Sequence, residues 1–120
     1  MDSAQLVDKL VAWLKEKVKT AGCKGVVIGL SGGIDSSVLA VVCRKAFPDA
    51  TLGVIMPCHS NEMDKAHAML VAEKFSISTV EVCLDDIFNV LVKILPDFKK
   101  DADQRRLAHA NLKSRLRMVT

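Results

Sequence analysis

The chain has 120 residues, half of them hydrophobic and 26% charged, with a formal net charge of +3. These proportions fit one globular domain with a single core and exclude a disordered chain. No apolar run reaches membrane-spanning length, and the opening Met1-Asp2-Ser3-Ala4-Gln5 has no signal-peptide character. The four cysteines, Cys23, Cys43, Cys58 and Cys83, are widely spaced without a CxxC pair. They read as free thiols in a reducing cytoplasm, not as a disulfide frame or zinc site.

In chain order, Ser3 to about Thr20 is an amphipathic helix. Leu6, Val7, Leu10, Val11, Leu14 and Val18 recur at three- and four-residue steps among Lys and Glu. Asp2 or Ser3 caps its start and Gly22 ends it, and Trp13, the single tryptophan, is assigned to packing. Lys24 to Leu30 forms the first strand, whose unbroken apolar centre predicts burial on both faces, as in a parallel sheet. Ser36 to Ala46 is a helix stopped by Pro48. Thr51 to Met56 is a second strand ended by Pro57, and the following Cys58-His59-Ser60-Asn61 leaves the carboxyl edge of the sheet, where doubly wound folds bind ligands. Asn61 or Ser60 caps a helix running to about Lys74 with Met63, Ala66 and Leu70 on its apolar side, and Ile77 to Val82 is a short third strand. Asp85 and Asp86 fall in the first turn of a helix that buries Ile87, Phe88, Leu91, Val92 and Leu95 and stops at Pro96; their charge suits the helix dipole there. A last helix runs from about Asp101 to the end.

The resulting order, α-β-α-β-α-β-α-α, implies parallel strands joined by right-handed crossovers, a doubly wound α/β architecture with flanking helices. Three strands are few for such a sheet, and the final helical pattern at Arg117-Met118-Val119-Thr120 carries no stop signal. The expectation is therefore one domain over 1–120, the N-terminal portion of a larger one.

The chemistry centres on Gly29-Leu30-Ser31-Gly32-Gly33-Ile34-Asp35-Ser36-Ser37, placed between a buried strand and a helix start. Adjacent glycines let peptide N–H groups approach a ligand closely. Ser31, Ser36 and Ser37 add hydroxyls, and the helix start adds free N–H groups with a partial positive charge. Together they form a cradle for a phosphate-type anion. Asp35 would repel bound phosphates unless a cation lay between, and Mg²⁺ bridging its carboxylate to phosphate oxygens resolves the conflict. Neither a Walker lysine nor a GxGxxG spacing is present. Ser-Gly-Gly-Ile-Asp-Ser instead resembles the SGGxDS signature of the PP-loop ATP pyrophosphatases, a Rossmann-like superfamily that cleaves ATP to AMP and pyrophosphate.

Basic charge is concentrated near the end. From Asp97 to Arg117 seven Lys/Arg stand against three Asp, a local +4, whereas the rest of the chain carries −1. Lys99, Lys100, Arg105 and Arg106 read as a solvated basic face. A nucleic-acid surface is disfavoured by the absence of Tyr and the scarcity of aromatic residues for base stacking. Within Asn111-Leu112-Lys113-Ser114-Arg115-Leu116-Arg117-Met118, Asn111 and Arg115 share one helical face and Lys113 and Arg117 another, with Leu112, Leu116 and Val119 as the apolar stripe. Arg115 beside Asn111 suits a second phosphate-bearing substrate, since guanidinium grips phosphate at two points.

Leu30 to Ser36, then Gly53-Val54-Ile55-Met56-Pro57, then Asn111 to Met118 occur in the order and spacing of the NAD⁺ synthetases. The last block is similar to that family's GNxKARxRM element, with Ala110 for Gly and Ser114 for Ala, neither change removing a charge. The resemblance spans about residues 5 to 120. It implies a ligase in which Gly29 to Ser37 wrap ATP, Asp35 binds Mg²⁺, Met56 flanks the adenine, and Arg115, with Asn111 and Arg117, contacts deamido-NAD near the boundary of a homodimer. Further ATP and metal ligands of that family lie beyond residue 120. The implied reaction is amidation of deamido-NAD through an acyl-adenylate, with release of AMP and pyrophosphate. Only about 30 residues precede the loop, too few for a glutaminase domain, so ammonia is the expected nitrogen donor unless another chain delivers it. Two alternatives stay open: another PP-loop enzyme such as an RNA thiolase, against which the missing CxxC pairs and the Asn111–Met118 block argue, and an ATP-binding module without turnover. Cys58 and His59 read as loop bystanders, Cys83 as a small buried hydrophobe, His67 and His109 as helix-surface residues, and Asp85 and Asp86 as helix-start charges. No residue is assigned a certain catalytic role.

Overall fold

The structure, a computed structural model, describes residues 1–95 and 102–120. Pro96 as a helix stop, Lys99 and Lys100 of the basic segment, and Asp101 as a helix start lie outside the described residues. The elements are α1 (Ser3–Thr20), β1 (Val26–Gly29), α2 (Ile34–Ala46), β2 (Thr51–Ile55), α3 (Glu62–Lys74), β3 (Ser78–Glu81), α4 (Asp85–Ile94) and α5 (Ala102–Val119). The three strands form a parallel sheet in the order β1-β2-β3, with Val27 beside Leu52 and Val54 beside Val80. This is the parallel α/β sheet with flanking helices that the alternating pattern predicts.

Local chemistry sets the boundaries. At the start of α1, Asp2 accepts from the Gln5 amide at 2.8 Å while Gln5 Oε1 accepts from the Asp2 amide at 3.2 Å, a reciprocal cap. At its end Gly22 takes φ +74°, and the Gly22 and Cys23 amides donate to the carbonyls of Lys19 and Val18. Buried Thr51 donates its hydroxyl to the carbonyls of Cys43 and Phe47 at the end of α2, at 3.0 and 2.8 Å, so the first residue of β2 ties down the preceding helix.

One face of the sheet carries the main core. Ile28, Leu30 and Ile55 pack with Ala40 and Cys43 of α2, Ala68 and Ala72 of α3, and Ile77. Leu14 of α1 joins from outside. The other face corrects an expectation: Val27 is 71% exposed, so β1 is buried on one face only in this chain. The α3 face is corrected too. Ala68 and Ala72 are buried, whereas Met63, Ala66 and Leu70 point to solvent. The helix has apolar residues all round its circumference, so periodicity did not select a side.

A second core cluster lies beyond the carboxyl edge of the sheet, where Cys58, Leu84 and Phe88 are buried against Met56, Val82, Val92, Leu112 and Leu116. It seats α4 and α5 over the loop that leaves β2. Within α4, Phe88 is buried and Leu91 and Val92 are half-buried; Ile87 and Leu95 are exposed, contrary to expectation. Three further corrections concern residues with no neighbour over them: Cys83 past the end of β3, Val119 at the end of α5, and Trp13 in the middle of α1. Cys83 is exposed, Val119 is exposed at the end of its stripe, and Trp13 stands at the surface with the Lys17 ammonium 5.9 Å from its ring.

Candidate nucleotide site

The turn between β1 and α2 is held by its own hydroxyls. Ser31 and Ser36 Oγ lie 3.0 Å apart, the Ser31 amide donates to Ser36 Oγ at 3.2 Å, and the Gly33 amide donates to Ser31 Oγ at 3.2 Å. The Ser36 and Ser37 hydroxyls both donate to the Gly33 carbonyl, at 3.3 and 2.7 Å. Gly32 sits at φ +84°, and a Cβ there would collide with the Asp64 carbonyl of α3, so the position admits glycine alone. Gly33 is the N-cap of α2 and supplies no side-chain acceptor. The first-turn amides of Ile34, Asp35 and Ser36 therefore have no acceptor within the helix and carry the positive end of its dipole. Serine hydroxyls can rotate toward an arriving oxygen. The turn has the chemistry of an anion cradle.

It opens on a cleft of roughly 570 Å³, a size that suits a nucleotide. Gly29, Leu30, Ser31 and Ser36 line one side. Ile55 to Glu62, Asp64 and Lys65 line the second, and Lys113 and Arg117 of α5 the third. The loop 57–61 is bent and heavily tied. His59 takes φ +50°; its amide donates to Asp85 at 2.6 Å, and its Nε2 lies 2.7 Å from Asn89 Oδ1. Hydrogen bonding from the His59 amide holds the Asp85 carboxyl below its usual range. Arg117 pins the same loop from α5, with Nε donating to the Met56 carbonyl at 3.1 Å and Nη2 to Ser60 Oγ at 2.9 Å. Burial pushes the Cys58 thiol up, against the pull of the Arg117 and Lys113 charges.

The expected site residues separate into three groups. Gly29, Leu30, Ser31, Ser36, Met56 and Arg117 meet in the cleft. Gly32, Gly33, Ile34, Asp35 and Ser37 complete the same turn, with Ile34 and Asp35 exposed to solvent and outside the lining of the cleft. Asn111 and Arg115 lie on the exposed face of α5, away from the cleft that Lys113 and Arg117 enter. No group of three His, Cys, Asp or Glu residues suited to a metal occurs among the described residues. The donors present still fit Mg²⁺, which is commonly held by one carboxylate plus substrate phosphates and water, and Asp35 at the cradle would be that carboxylate. Sequence reasoning missed Lys65, Lys113 and the folded-back His59. For Lys113 a signal existed, since it lies four residues before Arg117 on one helical face. For His59 there was none, because its position depends on contacts with α4.

A family model described as NAD synthase matches residues 6–120. The chain is 43% identical over 113 residues to the NH(3)-dependent NAD(+) synthetase of Carboxydothermus hydrogenoformans, covering 94% of this chain and 46% of that protein. It is 42% identical over 120 residues to the Finegoldia magna synthetase of the same name, covering 100% and 48%. Among solved structures it resembles the NH3-dependent NAD synthetase of Campylobacter jejuni in complex with nitrate ion, with TM-score 0.86 and 27% identity over 99% of this chain and 50% of that one. It also resembles an NMN synthetase from Francisella tularensis, with TM-score 0.88 and 28% identity over 99% and 48%. The chain thus spans about half the length of the curated relatives it matches.

Proposed function

The chain belongs to the NAD synthase family, and from that premise we propose that it binds ATP and serves the ATP-dependent amidation of deamido-NAD to NAD⁺, a ligase reaction releasing AMP and pyrophosphate. The observation that carries this reading is the uncapped start of α2, opening on a nucleotide-sized cleft with a cationic far wall. The nicotinate carboxylate of the substrate is ionised at neutral pH and needs no general base. It attacks the α-phosphorus of ATP, forming an acyl-adenylate while the β- and γ-phosphates depart together. Ammonia then displaces AMP from the acyl carbon and leaves the amide.

In this scheme the residues of the chain position and neutralise. The amides of Ile34 to Ser36 and the hydroxyls of Ser31 and Ser36 receive the departing pyrophosphate, where fixed dipoles stabilise charge without reorganisation. The Met56 side of the cleft flanks the adenine. Asp35 would be the carboxylate that holds Mg²⁺, which would supply charge neutralisation for the phosphates. Arg115 and Asn111, on the outer face of α5, contact deamido-NAD at the boundary of a homodimer. Four free cysteines fit a reducing, cytoplasmic setting.

The test is incubation with ATP, Mg²⁺, deamido-NAD and ammonium, followed by chromatography of NAD⁺ and AMP. Equal amounts of both are expected, with glutamine unable to replace ammonium. ADP in place of AMP would overturn the mechanism.

A further inference from the structure

We propose that Lys113 is a phosphate-binding residue of the nucleotide cleft, supplying from α5 the cation that the β1–α2 turn lacks; this rests on the reading of the cleft as an ATP site. Between Gly29 and Ser37 the only charged side chain is Asp35, which adds negative charge beside a polyanionic ligand. The start of α2 offers about half an elementary charge in return, and even with a Mg²⁺ at Asp35 a triphosphate would keep negative charge for the far wall to meet.

Three cations line the cleft among the described residues, and their partners tell them apart. The Lys65 ammonium is 2.9 Å from Glu81 Oε2, so its charge is already met. Arg117 spends Nε and Nη2 on the Met56 carbonyl and Ser60 Oγ, which makes it a fastener of the loop. Lys113 makes no ion pair with a carboxylate among the described residues, its electrostatic interaction with Asp85 acting at longer range. Its ammonium stands 5.5 Å from the centre of the Phe88 ring, and Phe88 is itself fixed edge-on by His59 at 5.3 Å and His109 at 5.5 Å. Lys113 is half-buried and lines the cleft, and the Phe88 ring beside its ammonium limits how far the charge can swing away. An ammonium so placed, across a nucleotide-sized space from an anion cradle, suits a phosphoryl oxygen as a point-charge partner.

The experiment is calorimetric titration of Mg-ATP and of adenosine into the wild-type protein and the Lys113→Gln, Lys113→Met and Lys113→Arg variants. Loss of one charge-assisted contact predicts ATP binding about 10- to 100-fold weaker in the Gln and Met variants. Adenosine affinity should stay unchanged, and Arg should restore most of the ATP affinity. Met keeps the apolar bulk of the side chain without its charge, so a variant that loses ATP and adenosine equally would show a packing role and overturn the proposal. Unchanged ATP affinity in Gln and Met, with ATP binding intact in the wild type, would overturn it while sparing the cleft. A raised KM for the carboxylic acid substrate alone would assign Lys113 to that substrate and overturn it too. A wild-type protein that does not bind Mg-ATP would remove both this inference and the reading beneath it.

Discussion

Arg117→Ala tests how the far wall of the cleft is built. The substitution removes two donors at once: Nε at 3.1 Å from the Met56 carbonyl, partly buried, and Nη2 at 2.9 Å from the exposed Ser60 hydroxyl. A hydrogen bond from a charged donor is worth about 1.5–3 kcal/mol, with the exposed one at or below the low end because water replaces it. The combined loss is about 2–3 kcal/mol, most of it in the seating of α5 against the loop that leaves β2. For a domain of this size each kcal/mol lowers Tm by about 4 °C, so a fall of about 8–12 °C is expected in thermal unfolding followed by circular dichroism. Lys in place of Arg keeps the charge but cannot span both acceptors, and should recover less than half of the loss. Amide exchange around Met56–Ser60 should accelerate in both variants. A Tm within about 2 °C of wild type, with exchange unchanged, would refute the claim that Arg117 fastens the loop.

Three other perturbations probe the cradle and its surroundings. Gly32→Ala puts a Cβ against the Asp64 carbonyl at a φ of +84°; left-handed backbone alone costs about 1–2 kcal/mol, so ATP affinity measured by titration should drop more than tenfold, and a wild-type affinity would contradict the cradle geometry. Asp35→Asn preserves shape and should leave Tm unchanged while abolishing Mg²⁺-dependent turnover; wild-type rates would remove Asp35 from the metal site. Asp85 has a pKa lowered from its ordinary value of 3.8, chiefly by the His59 amide. A depressed carboxylate adds stability that is present above its ordinary pKa and lost as pH falls through the folded-state value. Asp85→Asn should therefore flatten the acid limb of the stability curve below about pH 4, and an identical acid limb in both proteins would discount the contact.

The turn was legible in the sequence because its requirements are local: three glycines, three serines and a helix start determine what nine consecutive residues can do. The same holds for Asp2 and Gly22, where each cap is decided within a few residues. What could not be read depended on neighbours distant in sequence. The apolar residues of α3 ring the whole helix, and only contact with the sheet selects Ala68 and Ala72 over Met63 and Leu70. An unbroken apolar strand predicts two covered faces, yet Val27 has none over it in this chain. The division of labour along α5 was half legible. Helical spacing separates Lys113 and Arg117 from Asn111 and Arg115, but which pair meets the cleft is settled by Leu112 and Leu116 seating on the Phe88 cluster.

The account stands most directly on where a nucleotide's phosphates rest, which a crystal structure of the protein with ATP and Mg²⁺ would measure. The predicted result places the β- and γ-phosphoryl oxygens within hydrogen-bond distance of the Ile34–Ser36 amides and the hydroxyls of Ser31 and Ser36. A triphosphate bound elsewhere on the protein, with this turn still closed by its own hydroxyl contacts, would contradict it.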